Sequence, residues 1–342
     1  MLNVPVEYDI IKKIHDFIKF DNSEKKFKEI ESEIIESNNA FLSLLFVKEF
    51  AGADVKAHEK IVLDSGDLYY NYRFASDVEG ADVKAHEKIV IAGGNPKYNY
   101  EFARDVEGAD IKAHEKIVLD SGDLEYNCWF ARDVEGADIK AHEKIVIAGG
   151  DLEYNCWFAR NIKGADVKAH EKIVIAGGDL EYNYLFASDV EGADVKAHEK
   201  IVLDSGDLLH NYLFARDVKG ADIKAHEKIV LDSGNLKYNY EFAKNVEGAD
   251  IKAHEKVIID SSSPEYNFYF AKYIKGADLS GHRRAVFASR DSFWINKFWK
   301  EIDHNSIDYE PGRVRLYKIF FDDLGQMSDE KTSDGRDKCL KI

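Results

Sequence analysis

The chain has 342 residues, three cysteines and a formal charge of −17, of which −14 falls in residues 52–275. An acidic surface repels a phosphate backbone, so generic nucleic-acid binding is disfavoured. Cys128, Cys156 and Cys339 are too few for a disulfide framework and suit a reducing compartment. No basic segment followed by an apolar one opens the chain, and the longest apolar-rich stretch, residues 40–47, is too short to span a bilayer. The expectation is a cytoplasmic protein with no membrane association.

In chain order, the first predicted element is an amphipathic helix around Ile10, Ile11, Ile14, Phe17 and Ile18. Residues 24–51 keep the register of the repeats after them but lack their signature: Ile34, Ile35, Phe46 and Phe50 stand where Val, Leu or Ile, Phe and Val recur later. Residues 1–51 therefore read as an N-terminal cap ending in a degenerate repeat. From Gly52 the block Gly-Ala-Asp-(Val/Ile)-Lys-Ala-His-Glu-Lys returns at Gly80, Gly108, Gly136, Gly164, Gly192, Gly220 and Gly248, always 28 residues apart. A fixed period of this size means stacked copies of one supersecondary unit, here eight over residues 52–275.

Residues 108–135 show what the unit is. Asp110 suits the N-cap of a helix over residues 111–121 that Gly122 ends; Asp123 suits the N-cap of a second helix over about 124–134 that Gly136 stops. Pro96 and Pro264 fall at the first position of the second helix, where a missing N–H costs nothing. Ile111, His114 and Val118 share one face of the first helix, and Tyr126, Phe130 and Val134 one face of the second. Helices this short are marginal alone and must bury those faces against the next pair. The fold class is all-α: a right-handed α-solenoid, or superhelix, of stacked two-helix repeats with degenerate capping repeats. Residues 276–325 supply the C-terminal cap, a ninth repeat carrying Trp294, Ile295 and Trp299 followed by a helix near 314–324. Residues 326–342 are polar and expected to be disordered.

The helical hairpin with small residues at its turns resembles the broad class of tetratricopeptide and HEAT-type repeat proteins. The Gly-Ala-Asp…Ser-Gly-Asp…Phe-Ala pattern is more narrowly similar to short helical-repeat arrays of poorly characterised bacterial and phage proteins, over roughly residues 24–303. The period is shorter than the tetratricopeptide's, about 34, and the Trp-Leu-Gly-Tyr pattern is absent. The resemblance implies partner binding on a superhelical surface and no particular chemistry.

A column of histidines runs through the repeats: His58, His86, His114, His142, His170, His198, His226, His254 and, in the ninth copy, His282. Copies about 9–10 Å apart cannot share one ion whose bonds are about 2 Å, and the His-Glu pairs lack the second histidine of a zinc helix. No metal or other cofactor is expected. The histidines sit on the buried stripe, where Asn71, Asn99, Asn127, Asn155, Asn183, Asn211, Asn239 and Asn267 are the natural partners in a polar ladder that fixes register. Cys128 and Cys156 lie one repeat apart, beyond the roughly 7 Å disulfide limit. Arg283, Arg284, Arg290, Lys297, Lys300, Arg313, Arg315 and Lys318, with Trp294 and Trp299, form the one basic aromatic stretch, read as a cap packing its indoles inward or else as a docking site.

Most of the unit is nearly invariant, yet the outer face of the second helix changes from copy to copy. Its central pair reads Tyr72/Arg73, Tyr100/Glu101, Cys128/Trp129, Cys156/Trp157, Tyr184/Leu185, Tyr212/Leu213, Tyr240/Glu241 and Phe268/Tyr269; one turn away Tyr69, Lys97, Glu125, Glu153, Glu181, Leu209, Lys237 and Glu265 vary too. Helical-wheel angles place both sets opposite Phe130 and Ala131, which would expose Trp129, Trp157, Leu185 and Leu213 as an apolar strip bordered by charge. Such a strip marks a binding surface. The expected function is a non-enzymatic scaffold binding a protein or peptide through Arg73, Glu101, Trp129, Trp157, Leu185, Leu213, Glu241 and Tyr269. The alternative is a nucleic-acid-related module. It would bind single strands repeat by repeat, with Arg104, Arg132, Arg160, Arg216, Lys244 and Lys272 along the backbone and Tyr72, Tyr100, Tyr184, Tyr212 and Tyr240 stacking on bases, or it would be an acidic DNA mimic. No nucleophile, base and orienting group converge, so an enzyme is not expected.

Overall fold

The computed structural model describes residues 10–14 and 23–303, and among them all regular structure is helical. Residues 10–14 form one helical segment. The pair α1 (Glu24–Ser37) and α2 (Ala40–Glu49) comes next. Six repeats then give α3 (Val55–Ser65) and α4 (Leu68–Asp77), α5 (Val83–Gly93) and α6 (Pro96–Asp105), α7 (Ile111–Ser121) and α8 (Leu124–Asp133), α9 (Ile139–Gly149) and α10 (Leu152–Asn161), α11 (Val167–Gly177) and α12 (Leu180–Asp189), and α13 (Val195–Ser205) and α14 (Leu208–Asp217). Two more give α15 (Ile223–Ser233) and α16 (Leu236–Asn245), and α17 (Ile251–Asp260) and α18 (Pro264–Tyr273). The ninth copy gives α19 (Leu279–Ala288) and α20 (Ser292–Phe298), with a π-helical turn over Trp299–Asp303. This is the all-α, α-solenoid construction. The predicted helix residues 15–18, the helix near 314–324, the tail 326–342, Arg313, Arg315, Lys318 and Cys339 lie outside the described residues. The chain divides into two units, Met1–Ser205 with Asp217–Ala221, and Gly206–Arg216 with Asp222–Ile342.

Local chemistry fixes the helix ends. The Asp110 carboxylate accepts from Ala113 N–H at 3.1 Å, and α7 closes at Gly122, whose φ of 66° is the left-handed region that glycine enters without strain. Asp123 accepts from Tyr126 N–H at 3.1 Å to start α8. That helix stops where Val134 turns extended, and Gly136, at φ 85°, reverses the chain.

Within each unit the closest antiparallel partners are not the two helices of one sequence block. A second helix lies along the first helix of the following block: α4 along α5, α6 along α7 and α8 along α9 in the first unit, α16 along α17 in the second. The tight hairpin therefore straddles the Gly-Ala-Asp boundary. Its core is a series of small clusters rather than one large one. In one of them Tyr100 and Ala103 from α6 meet Val118 from α7 and Phe130 from α8, with Val134 beyond them. Val118 and Phe130 are fully buried, as are their counterparts through the first unit. Each such side chain contributes about 1.5–3 kcal/mol of burial, which is what holds helices of 10 or 11 residues.

Candidate functional site

The most repeated polar construction is a buried clamp joining three consecutive helices. In the first unit His86, His114, His142, His170 and His198 each place Nδ1 2.7–2.8 Å from Oδ1 of Asn71, Asn99, Asn127, Asn155 and Asn183 respectively. In the second, His226, His254 and His282 meet Asn211, Asn239 and Asn267 at 2.7–2.8 Å. The Asn127 amide donates to Val118 O at 3.1 Å and Asp123 O at 2.7 Å, so its oxygen is left to accept and His142 carries its proton on Nδ1. The Nε2 lone pair of His142 then faces Glu115 Oε1 at 3.5 Å. That same oxygen accepts the Asp138 backbone N–H at 2.5 Å, while Oε2 takes Lys112 Nζ at 2.7 Å. The glutamate thus holds the N-terminus of α9 from its place on α7, and the lysine offsets part of its charge. Burial pushes the His142 imidazole below its ordinary range against the pull of Glu115. Phe130 packs against the same ring, tilted by 31°, at 5.0 Å between centroids.

The first member of the series is incomplete. His58 faces Glu31 at 3.8 Å, and Glu31 accepts Asp54 N–H and Lys28 Nζ in the usual way. The asparagine position is Ser43, and among the described residues neither Ser43 Oγ nor either ring nitrogen of His58 has a hydrogen-bond partner. Also among the described residues, no three His, Cys, Asp or Glu side chains gather in a way that could hold a metal ion.

The variable pair is not arranged as the wheel suggests. Within each unit its first residue points into the contact between successive second helices: Tyr72, Tyr100, Cys128, Tyr212, Tyr240 and Phe268 are buried and Cys156 is half-buried; Tyr184 is half-buried too. The Tyr100 hydroxyl donates to Asp133 at 2.6 Å and accepts from Arg104 at 2.9 Å, while the Arg104 guanidinium grips Asp105 at 2.6 and 2.7 Å. Tyr72 to Asp105 and Tyr184 to Asp217 repeat the strut. Burial and the adjacent carboxylate push the Tyr72 phenol up to about 12. These tyrosines brace the stack and do not offer their faces to bases.

The second residue of the pair is half-buried at every repeat, so the expected fully exposed apolar strip is corrected. Trp129 leans on Tyr100 and Tyr126 at 5.8 and 5.3 Å, and Tyr269 on Tyr240 and Trp294 at 6.2 and 5.7 Å. Leu213 packs beside Tyr212. Arg73 pairs with Asp77 at 2.6 Å, Glu241 accepts from Asn245 at 2.7 Å, and Glu101 lies half-buried beside Tyr100 in the chain. The reason is geometric: within a unit successive second helices lie side by side, so the face turned from its own hairpin still meets a neighbour. Exposed positions fall one turn away, at Tyr69, Lys97, Glu153, Glu181, Leu209, Lys237 and Glu265. At the C-terminal end Trp294 packs inward on Phe268 at 5.5 Å with Lys297 over its ring.

One place on this face is hollow. A cavity of about 420 Å³ opens between α10 and α12, lined by Cys156, Trp157, Leu185, Val190 and Tyr182, with Glu153, Asp179, Glu181, Asp189 and Arg160 around them. Its origin is legible in the register. Cys156 stands where other repeats carry the bracing tyrosine, and Leu185 where the preceding two carry tryptophan. At the preceding interface Cys128 is buried in the same cluster as Trp157; beside Cys156 the next repeat supplies only leucine, and the gap stays open. Asp189, which a tyrosine at 156 would reach, is held instead by Arg160 at 3.1 Å. Burial raises the Cys156 thiol to about 12, so it is an inert wall and not a nucleophile. Cys128 and Cys156 are both free thiols. No protein-family model, curated protein or solved structure matches the chain. Among the described residues no helix is long and apolar enough to cross a membrane.

Proposed function

We propose that the protein is a non-enzymatic binding scaffold that engages a protein or peptide through the variable face of its second helices, as the class of helical-repeat arrays it resembles does. One observation carries this reading. Clamp, caps and core are rewritten almost unchanged from copy to copy, while substitutions gather along one face of the second helix, where a cavity opens. Trp129, Trp157, Leu185, Leu213 and Glu241 share one aligned position, and what the neighbouring helix leaves uncovered there is open to a partner. Aromatic side chains that are already half-ordered against a neighbour suit a binding surface, because little rotamer freedom is lost on contact.

The test is affinity capture with the full chain, identification of the retained protein, and titration of that purified partner by calorimetry. Trp129→Leu with Trp157→Leu is the informative variant, since leucine occupies this position at 185 and 213 and the fold accommodates it. Binding weakened at least about tenfold, with an unchanged far-ultraviolet spectrum, supports the proposal. No partner, or a partner indifferent to the double substitution, refutes it.

A further inference from the structure

From the geometry of the cavity we infer that it receives an arginine side chain presented by the partner. This rests on the scaffold reading and names the chemistry of one contact within it. Carboxylates alone would not make a site; here they surround a preformed hollow with aromatic walls. Glu153, Asp179, Glu181 and Asp189 line it beside Arg160, while Trp157 and Tyr182 supply ring surfaces. A guanidinium matches both demands, because it is planar, stacks on aromatic rings and donates to carboxylates in pairs. The protein already uses this pairing beside the cavity: the Arg132 guanidinium lies 5.2 Å from the Trp157 ring centroid. The hollow also lies where a bracing phenol is missing. At Tyr72, Tyr100 and Tyr184 the hydroxyl donates to the aspartate 33 residues on; at Cys156 that donor is absent, and Asp189, accepting from Arg160 and Ser188, keeps over a third of its side chain accessible. An incoming guanidinium takes the space of the lost ring and supplies donors toward the same carboxylate. A lysine would bring charge without the planar stack, and an acidic or phosphorylated side chain would meet repulsion.

The probe is a set of immobilised Gly/Ser peptides, each with one central arginine, lysine, citrulline or glutamate, overlaid with the labelled full-length chain at low salt. Citrulline keeps the shape of arginine and removes its charge. The arginine peptide is expected to be retained at least about tenfold more than the others. Cys156→Tyr should abolish the difference by filling the hollow; tyrosine one repeat before leucine already occurs at Tyr184 and Leu213, so the substitution respects the repeat, and a melting temperature no lower than that of the unaltered chain verifies folding. Glu153→Gln with Glu181→Gln should weaken retention without closing the cavity. Equal retention of lysine or citrulline, no retention of any peptide, or retention unaffected by Cys156→Tyr overturns the inference. A captured partner whose affinity responds to Trp129→Leu and Trp157→Leu but not to Cys156→Tyr would sink the arginine site and leave the scaffold standing, whereas loss of both responses removes the scaffold as well.

Discussion

Acidification from pH 6.5 to 5 should destabilise this protein steeply. The perturbation acts on the clamp histidines, whose rings are fully buried. Burial lowers His254 from 6.5 to about 4 and moves His58, His86, His114, His142, His170, His198 and His282 in the same direction. A base whose folded pKa is depressed is neutral in the folded state while the unfolded chain, near 6.5, takes up its proton. Stability is therefore intact above about pH 6.5 and is lost as pH falls toward the folded value. For His254 alone, a drop from 6.5 to about 4 amounts to roughly 2 kcal/mol of lost stability at pH 5. The groups around that ring do not reverse the sign. Glu227 lies 3.3 Å from Nε2 and Asp250 pulls toward the charged form, but desolvation outweighs Asp250. Burial raises Glu227 itself, which favours the folded state only as the pH approaches the carboxylate range. Seven further histidines shifted the same way make the fall steep. Melting temperatures from circular dichroism at constant ionic strength, at half-unit steps between pH 7.5 and 5, measure it, and a chelator at pH 7.5 should leave them unchanged. A flat profile would refute the burial account of the ladder. A drop on chelation would mean that the imidazoles hold a metal.

Two further predictions concern single links of the clamp. Asn155→Leu removes donors to Val146 O at 3.3 Å and Asp151 O at 2.7 Å and strands the Nδ1–H of His170, which now sits 2.8 Å from the amide oxygen; chemical denaturation should show a loss of about 3–5 kcal/mol, partly recovered by adding His170→Leu, and a loss below about 1 kcal/mol would contradict the network. Ser43→Asn should stabilise by about 1–2 kcal/mol by giving His58 the partner that each later histidine of the column has; Ile34 O and Asn39 O lie at the register positions that accept from the amide in later repeats, and an unchanged or lowered melting temperature would show that the cap has no room for it.

Much of the fold could be read because each residue is written many times over. Asp110, Gly122, Asp123 and Gly136 are cap and turn residues by type, and their recurrence at fixed offsets separates them from chance. Val118 and Phe130 could be placed on inward faces for the same reason. What escaped is what depends on a neighbouring copy. The sequence block begins at Gly-Ala-Asp, but the tight hairpin begins at the second helix, because hairpin geometry is set by the turn at Val134–Asp138 and not by the point where the eye starts counting. In the sequence Glu115 is simply the neighbour of His114, in a pair that lacks the second histidine of a zinc helix. Its bond runs 23 residues forward to Asp138 N–H, and the available sign was Lys28 and Glu31, which keep the lysine–glutamate spacing in a cap that has lost the rest of the signature.

The helical wheel fails at Tyr100 for a reason that also locates the candidate site. A wheel measures angles within one helix, and on an isolated hairpin the position opposite Phe102 would face water. In a stack, another second helix covers it. Variation at this position is therefore spent first on interhelical fit, with tyrosine bracing an aspartate or cysteine covered by tryptophan, and only what the neighbour fails to cover is available to a partner. Reading two registers together shows where that happens. A small residue in one repeat followed by a small residue at the covering position of the next leaves a hollow; Cys156 and Leu185 are that combination, and Cys128 followed by Trp157 is not. Filling the gap with Cys156→Tyr should thus do two separable things: create the strut to Asp189 and remove the hollow. A gain in melting temperature without loss of arginine-peptide retention would mean that the gap is only a packing fault. A gain accompanied by loss of retention would mean that some interhelical stability is given up at this repeat for the sake of contact.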